Sequence, residues 1–156
     1  MMQSELATFS EELEQTVASI FETMMGMSVY PAACPWFEEP GRVAATVHFT
    51  GSHNGVIMLE VSPAQACFFA GRFLSMDTPE AIDNDVRDVL GEIVNMIGGN
   101  LKSARVPDAT LSIPEVVDGT NFSLRICGVA VAARQAFECE AETFWVSLFE
   151  PRASNS

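Results

Sequence analysis

The stretch Asp85-Val86-Arg87-Asp88-Val89-Leu90-Gly91-Glu92-Ile93-Val94-Asn95-Met96-Ile97-Gly98-Gly99-Asn100-Leu101-Lys102 decides how the chain is read. Val86, Val89, Leu90, Ile93, Val94, Ile97 and Leu101 recur at three- and four-residue steps, which predicts an amphipathic helix. They fill one arc of the helical wheel. Asp85, Asp88, Glu92, Asn95, Gly99 and Lys102 fill the other. Asp88, Glu92 and Asn95 stand at i, i+4 and i+7, so they project from one narrow stripe, and Met96 borders it. Gly91, Gly98 and Gly99 are out of place by propensity, each disfavoured against alanine by roughly 1 kcal/mol in a helix interior. Glycines beside a polar stripe are expected where the backbone of another molecule comes close. This helix is expected to be the functional surface, with the rest of the chain as its support.

Outward from it, a second helical pattern covers residues 4–25. Leu6, Phe9, Leu13, Val17, Ile20, Phe21 and Met24 make its stripe, Glu11, Glu12, Glu14 and Glu22 take the wet side, and Gly26 is the stop. Pro31, Pro35 and Pro40 break up the next segment, which carries Trp36 and Phe37. From Arg42 the period changes to two. Val43, Ala45, Val47 and Phe49 alternate with Ala44, Thr46, His48 and Thr50, which predicts a strand buried on one face. Gly51 to Gly55 is a turn, and Val56–Val61 returns to complete a hairpin. Ser62-Pro63-Ala64-Gln65 starts a helix, with serine as N-cap, proline first and glutamine three on. Its buried residues are expected to be Ala66, Phe69, Ala70, Phe73 and Leu74.

Thr78-Pro79-Glu80 repeats that grammar and leads, with a break near Asp83-Asn84, into the opening helix, which ends around Ser103. Thr110 to Ile113 is extended, Pro114 limits it, and Asp118-Gly119 signals a turn. Two long strands follow, Val129–Glu140 and Thr143–Glu150. Val129, Val131, Ala133, Phe137 and Cys139 share a face of the first; Phe144, Val146 and Leu148 point inward from the second. The expected fold class is α+β, an antiparallel sheet with long helices packed on one face, and residues 1–156 are expected to form a single domain.

Lysine and arginine number 8 against 21 acidic residues, for a net charge of −13. Binding nucleic acid through counterion release needs clustered cations, so nucleic acid is excluded as a partner. Anionic membrane surfaces are disfavoured by the same charge, and no apolar run approaches the roughly 18 residues of a membrane span. A protein partner is expected to bring a basic group to this acidic surface. Met1 to Glu5 has neither the basic start nor the apolar run of an export signal, so a cytoplasmic location is expected. Cys34, Cys67, Cys127 and Cys139 form no C-x-x-C pair and are expected to be reduced, buried thiols. The nucleophile-elbow, P-loop, dinucleotide and zinc-protease motifs are all absent. His48 falls on the polar face of its strand and His53 in the turn, with no metal-ligand spacing, so no metal is expected.

Asp88-x-x-x-Glu92-x-x-Asn95 matches the [D/S]-x-x-x-E-x-x-N motif of the CheC/CheX/FliY chemotaxis phosphatases. Gly98-Gly99-Asn100 also resembles that family's helix, and Leu111 to Gly119 is similar to its strand-proline-turn segment. The order of elements fits along nearly the whole chain. One motif copy and this length resemble CheX rather than CheC, which carries two. In the first helix Val17 stands where a second motif would need asparagine.

The resemblance implies hydrolysis of the aspartyl phosphate on a response-regulator receiver domain such as CheY. Asn95 would hold the attacking water in line with phosphorus. Glu92 would pair with the receiver's active-site lysine. Asp88 would play a rim or helix-orienting part, Met96 would border the contact, and Gly98 and Gly99 would let the receiver approach. The chain would need no cofactor of its own, since the receiver brings Mg²⁺. The resemblance also implies a homodimer joined edge to edge between sheets, through the Val129–Glu150 strands or the Arg42–Val61 hairpin. A competing reading is a non-catalytic receiver-binding module of the same fold, which would have no reason to keep Asn95. A metal- or small-molecule-binding protein built around His48 and His53 is a third.

Overall fold

Among the described residues three helices, α1 (Met2–Met25), α2 (Pro63–Leu74) and α3 (Asn84–Arg105), lie against one face of a seven-stranded antiparallel sheet. The computed structural model describes residues 2–118 and 129–152, with side chains from Phe9 onward except that of Asp118. The side chain of Leu6, Gly119, Cys127 and the last four residues lie outside that range. The strands are β1 (Tyr30–Ala32), β2 (Val43–Thr50), β3 (Gly55–Val61), β4 (Thr110–Leu111), β5 (Glu115–Asp118), β6 (Val129–Cys139) and β7 (Glu142–Pro151). Their spatial order is β1-β6-β7-β3-β2-β4, with β5 also pairing β2.

The helices start and stop where local chemistry provides for it. Ser62 accepts a hydrogen bond from the Gln65 backbone at 3.0 Å, and the Gln65 side chain accepts from the Ser62 backbone at 3.2 Å, the reciprocal capping box. Gly26 ends α1 at φ +63°, a conformation that side chains with a Cβ rarely adopt. Thr78-Pro79-Glu80 does not start a helix. The chain folds back over Gly71, where an added Cβ would stand 3.1 Å from the Thr78 Cα, and Asp83 is the N-cap that opens α3. The stripe of α1 closes on Met25, with Met24 exposed, and Leu74 is likewise exposed in the last turn of α2.

The sheet differs from the sequence reading at its margins. β1 and β5 were not expected as strands: one is three residues around Pro31, the other four behind Pro114. The Arg42–Val61 hairpin and β7 are interior, so neither is an edge: β4 and β5 cover β2, while β7 runs between β3 and β6. β6 is paired on its outer side by β1 only along Ala136 to Glu138, among the described strands. A bulge between Val131 and Ala133 shifts its register against β7. One extra residue turns the strand over, so Val131 pairs with Phe149 and is exposed, while Ala133 packs with the helix-side core. Val129 and Val131 therefore do not share a face with Phe137 and Cys139.

β3 is buried at every position, because the far face of the sheet is covered as well. There Trp36 and Phe37 close over a charged cluster. The Arg42 guanidinium lies 4.2 Å from the Trp145 ring centre and 3.6 Å from the Glu60 carboxylate, and Trp36 Nε1 donates to Glu60 at 3.1 Å. Burial pushes the Glu60 carboxyl above its ordinary value, and the Trp36 hydrogen bond and the Arg134 and Arg42 charges only partly offset this. The folded chain therefore keeps the Glu60 proton to higher pH than the unfolded chain, and stability falls as pH rises from about 4.5 through the folded value. Glu60→Gln removes that dependence. Urea unfolding at several pH values should show the variant gaining on the parent as pH rises; parallel curves would contradict it.

Cys67 and Cys139 are buried free thiols, and burial pushes Cys139 up to about 11, so it stays protonated. Cys34 is only half-buried, on the proline-broken segment, and is also a free thiol. Among the described residues no helix is long and apolar enough to cross a membrane.

Candidate functional site

α3 is held in place by the residues that its periodicity picks out. Val86, Val89, Leu90, Ile93, Val94, Ile97 and Leu101 are all buried, each withdrawing an aliphatic side chain worth roughly 1.5–3 kcal/mol when fully covered. The Asp83 carboxylate accepts from the Val86 backbone at 2.9 Å, and Asp85 adds negative charge in the first turn. At the far end Lys102 donates to the Pro107 carbonyl at 3.0 Å. Arg87 Nη1 donates to the Val116 carbonyl at 3.3 Å, tying the helix to β5.

With the core face committed, the stripe is left to solvent. Asp88 and Glu92 are exposed; Asn95, Met96 and Gly99 are half-exposed, and Met96 also packs on the core. Among the described residues, the structure shows no hydrogen bond or ion pair for Asp88, Glu92 or Asn95. A carboxylate and a carboxamide one turn apart and unengaged by the fold can hold a cation and a polar hydrogen at the same time. Among the described residues no three His, Cys, Asp or Glu side chains gather as a metal site, and both histidines are exposed.

The glycines divide. At Gly99 an added Cβ meets nothing within 4 Å, so this position is open to an incoming surface. Gly98 is buried, and a Cβ there would lie 2.7 Å from Val47 Cγ1 and 3.4 Å from Leu111 Cδ1. It therefore cannot admit a receiver, and its role is to let α3 sit low on β2. Gly91, two turns earlier on the same flank, is buried under Pro114, and a Cβ there would lie 3.5 Å from the proline ring. The seven-residue spacing of Gly91 and Gly98, offset from the polar stripe, was the available signal that both face inward.

That flank brings a second segment to the stripe. β4 and β5 are one edge strand, broken along β2. Two β2 residues, Val47 and His48, face three residues, Ser112, Ile113 and Pro114. Ser112 anchors the break, its backbone donating to the His48 carbonyl and its hydroxyl accepting from the His48 backbone, both at 2.9 Å. The extra residue is expelled, as in a β-bulge. Ile113 and Pro114 then border a groove of about 550 Å³ with Arg87, Asp88, Gly91, Glu92 and Val116. Sequence reading missed this neighbour of the motif.

A family model described as "Chemotaxis phosphatase CheX" matches residues 43–138, which include β2, the motif helix and most of β6. The chain belongs to the CheX family. A search of curated proteins gives no match. Among solved structures, the chemotaxis protein CheX from Vibrio vulnificus is 20% identical, with a TM-score of 0.76 over 92% of this chain and 99% of that one. A CheX from Desulfovibrio desulfuricans is 23% identical, with a TM-score of 0.71 over 89% of this chain and 96% of that one. A CheX from Borrelia burgdorferi, solved as a complex with CheY, BeF₃ and Mg²⁺, is 17% identical, with a TM-score of 0.71 over 92% of this chain and 97% of that one. At these identities the CheX structures establish the shared α+β fold.

Proposed function

We propose that this CheX-family chain hydrolyses the aspartyl phosphate of a CheY-type receiver domain, with the Asp88–Asn95 stripe of α3 inserted at the receiver's active site. The observation that carries this is the stripe itself. Glu92 and Asn95 project together from a helix whose other face is locked in the core, and among the described residues neither side chain has a partner in the fold. An acyl phosphate is already activated, so positioning and charge suffice, without a strong base or covalent nucleophile. Asn95 orients a water through its amide. The water oxygen bonds to phosphorus as the phosphorus–oxygen bond to aspartate breaks; the electron pair stays on the carboxylate and the water's proton passes to phosphate. Mg²⁺, supplied by the receiver, neutralises the phosphoryl oxygens. That a Borrelia CheX is found with CheY, BeF₃ and Mg²⁺ supports this choice of partner.

Glu92 makes the docking contact, a charge-assisted pair with the receiver's active-site lysine. Asp88 extends the acidic rim, Met96 borders the contact, and Gly99 leaves room for the receiver backbone. Sheet extension to a homodimer belongs to the same reading, with β6 rather than the hairpin as the strand offered. Glu92→Ala should weaken binding of a phosphorylated receiver by about tenfold or more, on the scale of a lost hydrogen bond to a charged group. Titration calorimetry against a BeF₃-loaded receiver measures it; an unchanged affinity removes Glu92 from the docking role.

A further inference from the structure

Ile113 is the most exposed of the large apolar side chains among the described residues, at 85%, and the helix chemistry makes no use of it. We propose that Ile113 is the apolar anchor on which the receiver domain seats, next to the charged contact made by Glu92. This rests on the function proposed above and extends it to a second segment of the chain.

Three features of the structure carry the inference. The bulge opposite Val47 and His48 turns Ile113 out of the sheet on the side of α3, into the groove shared with Asp88 and Glu92. The segment is braced on both sides of Ile113. Ser112 is hydrogen-bonded to the His48 backbone, and Pro114 rests on Gly91, where even a methyl group would touch its ring. A braced side chain gives up little freedom on docking, which favours it as an anchor. The groove is also polarised. Asp88 and Glu92 form its acidic wall, while the Arg87 guanidinium within it is bound to the Val116 carbonyl. An acidic wall with an isoleucine on its rim fits a protein surface that carries a basic side chain beside an aliphatic patch. Such a pairing sets orientation through the charge and affinity through the apolar contact. Receivers that present the lysine without the neighbouring patch would be poorer partners, so Ile113 selects among them.

The test compares wild type, Ile113→Ser and Ile113→Leu for binding to a CheY-type receiver loaded with BeF₃ and Mg²⁺, and for KM and kcat on the phosphorylated form. Ile113 is exposed, so these variants should fold as the parent does, which circular dichroism confirms. Ile113→Ser should raise Kd and KM by about tenfold or more, as for a truncated interface anchor, while the rate at saturating receiver changes far less. Ile113→Leu should restore binding to within about threefold, since it keeps the apolar volume. Wild-type affinity in Ile113→Ser would overturn the inference. So would a change in the chain's own oligomeric mass with receiver affinity untouched, because a second copy would then be what covers Ile113. If wild type binds the receiver without hydrolysing it and Ile113→Ser weakens that binding, the anchor stands and the phosphatase reading falls. If wild type binds no receiver, both fall.

Discussion

Asn95→Ala is expected to lose about 10²-fold or more in the rate of receiver dephosphorylation, the scale of removing one hydrogen-bonding group that acts on the transition state. The side chain is half-exposed on the stripe, and no hydrogen bond within the fold depends on it among the described residues. Folding should therefore be untouched, and alanine is the better helix former. Affinity for a BeF₃-loaded receiver should stay close to that of the parent, since Glu92 and Ile113 carry the docking. The signature is a loss in kcat with Kd preserved, opposite to that of Ile113→Ser. If Asn95→Ala loses affinity and rate together, Asn95 is a docking residue and the water has another holder.

The second large effect concerns the support beneath the stripe. Gly98→Leu should destabilise the fold by roughly 3 kcal/mol, the upper range for overpacking a filled core. The first added carbon would already lie 2.7 Å from Val47 Cγ1, on a β-branched side chain that is fully buried. Such a side chain has no free rotamer into which to retreat. α3 would have to lift from β2, and the groove beside Leu111 would change with it. Gly99→Ala is the contrast. With nothing within 4 Å it should stabilise the chain by up to roughly 1 kcal/mol from helix propensity, though it meets the incoming receiver. Chemical denaturation of both variants checks the pair; equal stabilities would contradict the different packing assigned to the two glycines.

Strong local signals were legible in the sequence. Seven apolar residues of α3 keep a helical period and all are buried, and the Ser62 to Gln65 capping box forms as written. The alternation from Val43 to Phe49 meets the returning strand Val56–Val61, apolar except for Glu60, and the two pair residue for residue. Features set by tertiary context were not legible. β1 and β5 are too short to carry a period of their own and exist because β6 and β2 offer them a partner. The bulge at Val131 to Ala133 occurs in Val129-Ala130-Val131-Ala132-Ala133, where small residues blur which face each occupies. The motif stripe could be read because its three polar residues share one helix. Ile113 could not, because its place beside Glu92 depends on an edge strand broken by one residue against a partner more than sixty positions away.

The most direct measurement is the decay of acyl phosphate on a phosphorylated, Mg²⁺-loaded receiver domain, with and without a stoichiometric amount of this chain. Acceleration by the wild-type chain, abolished in Asn95→Ala while that variant still binds the receiver, is the expected result. Decay at the receiver's own rate with wild type bound, or acceleration by Asn95→Ala equal to wild type, would contradict it.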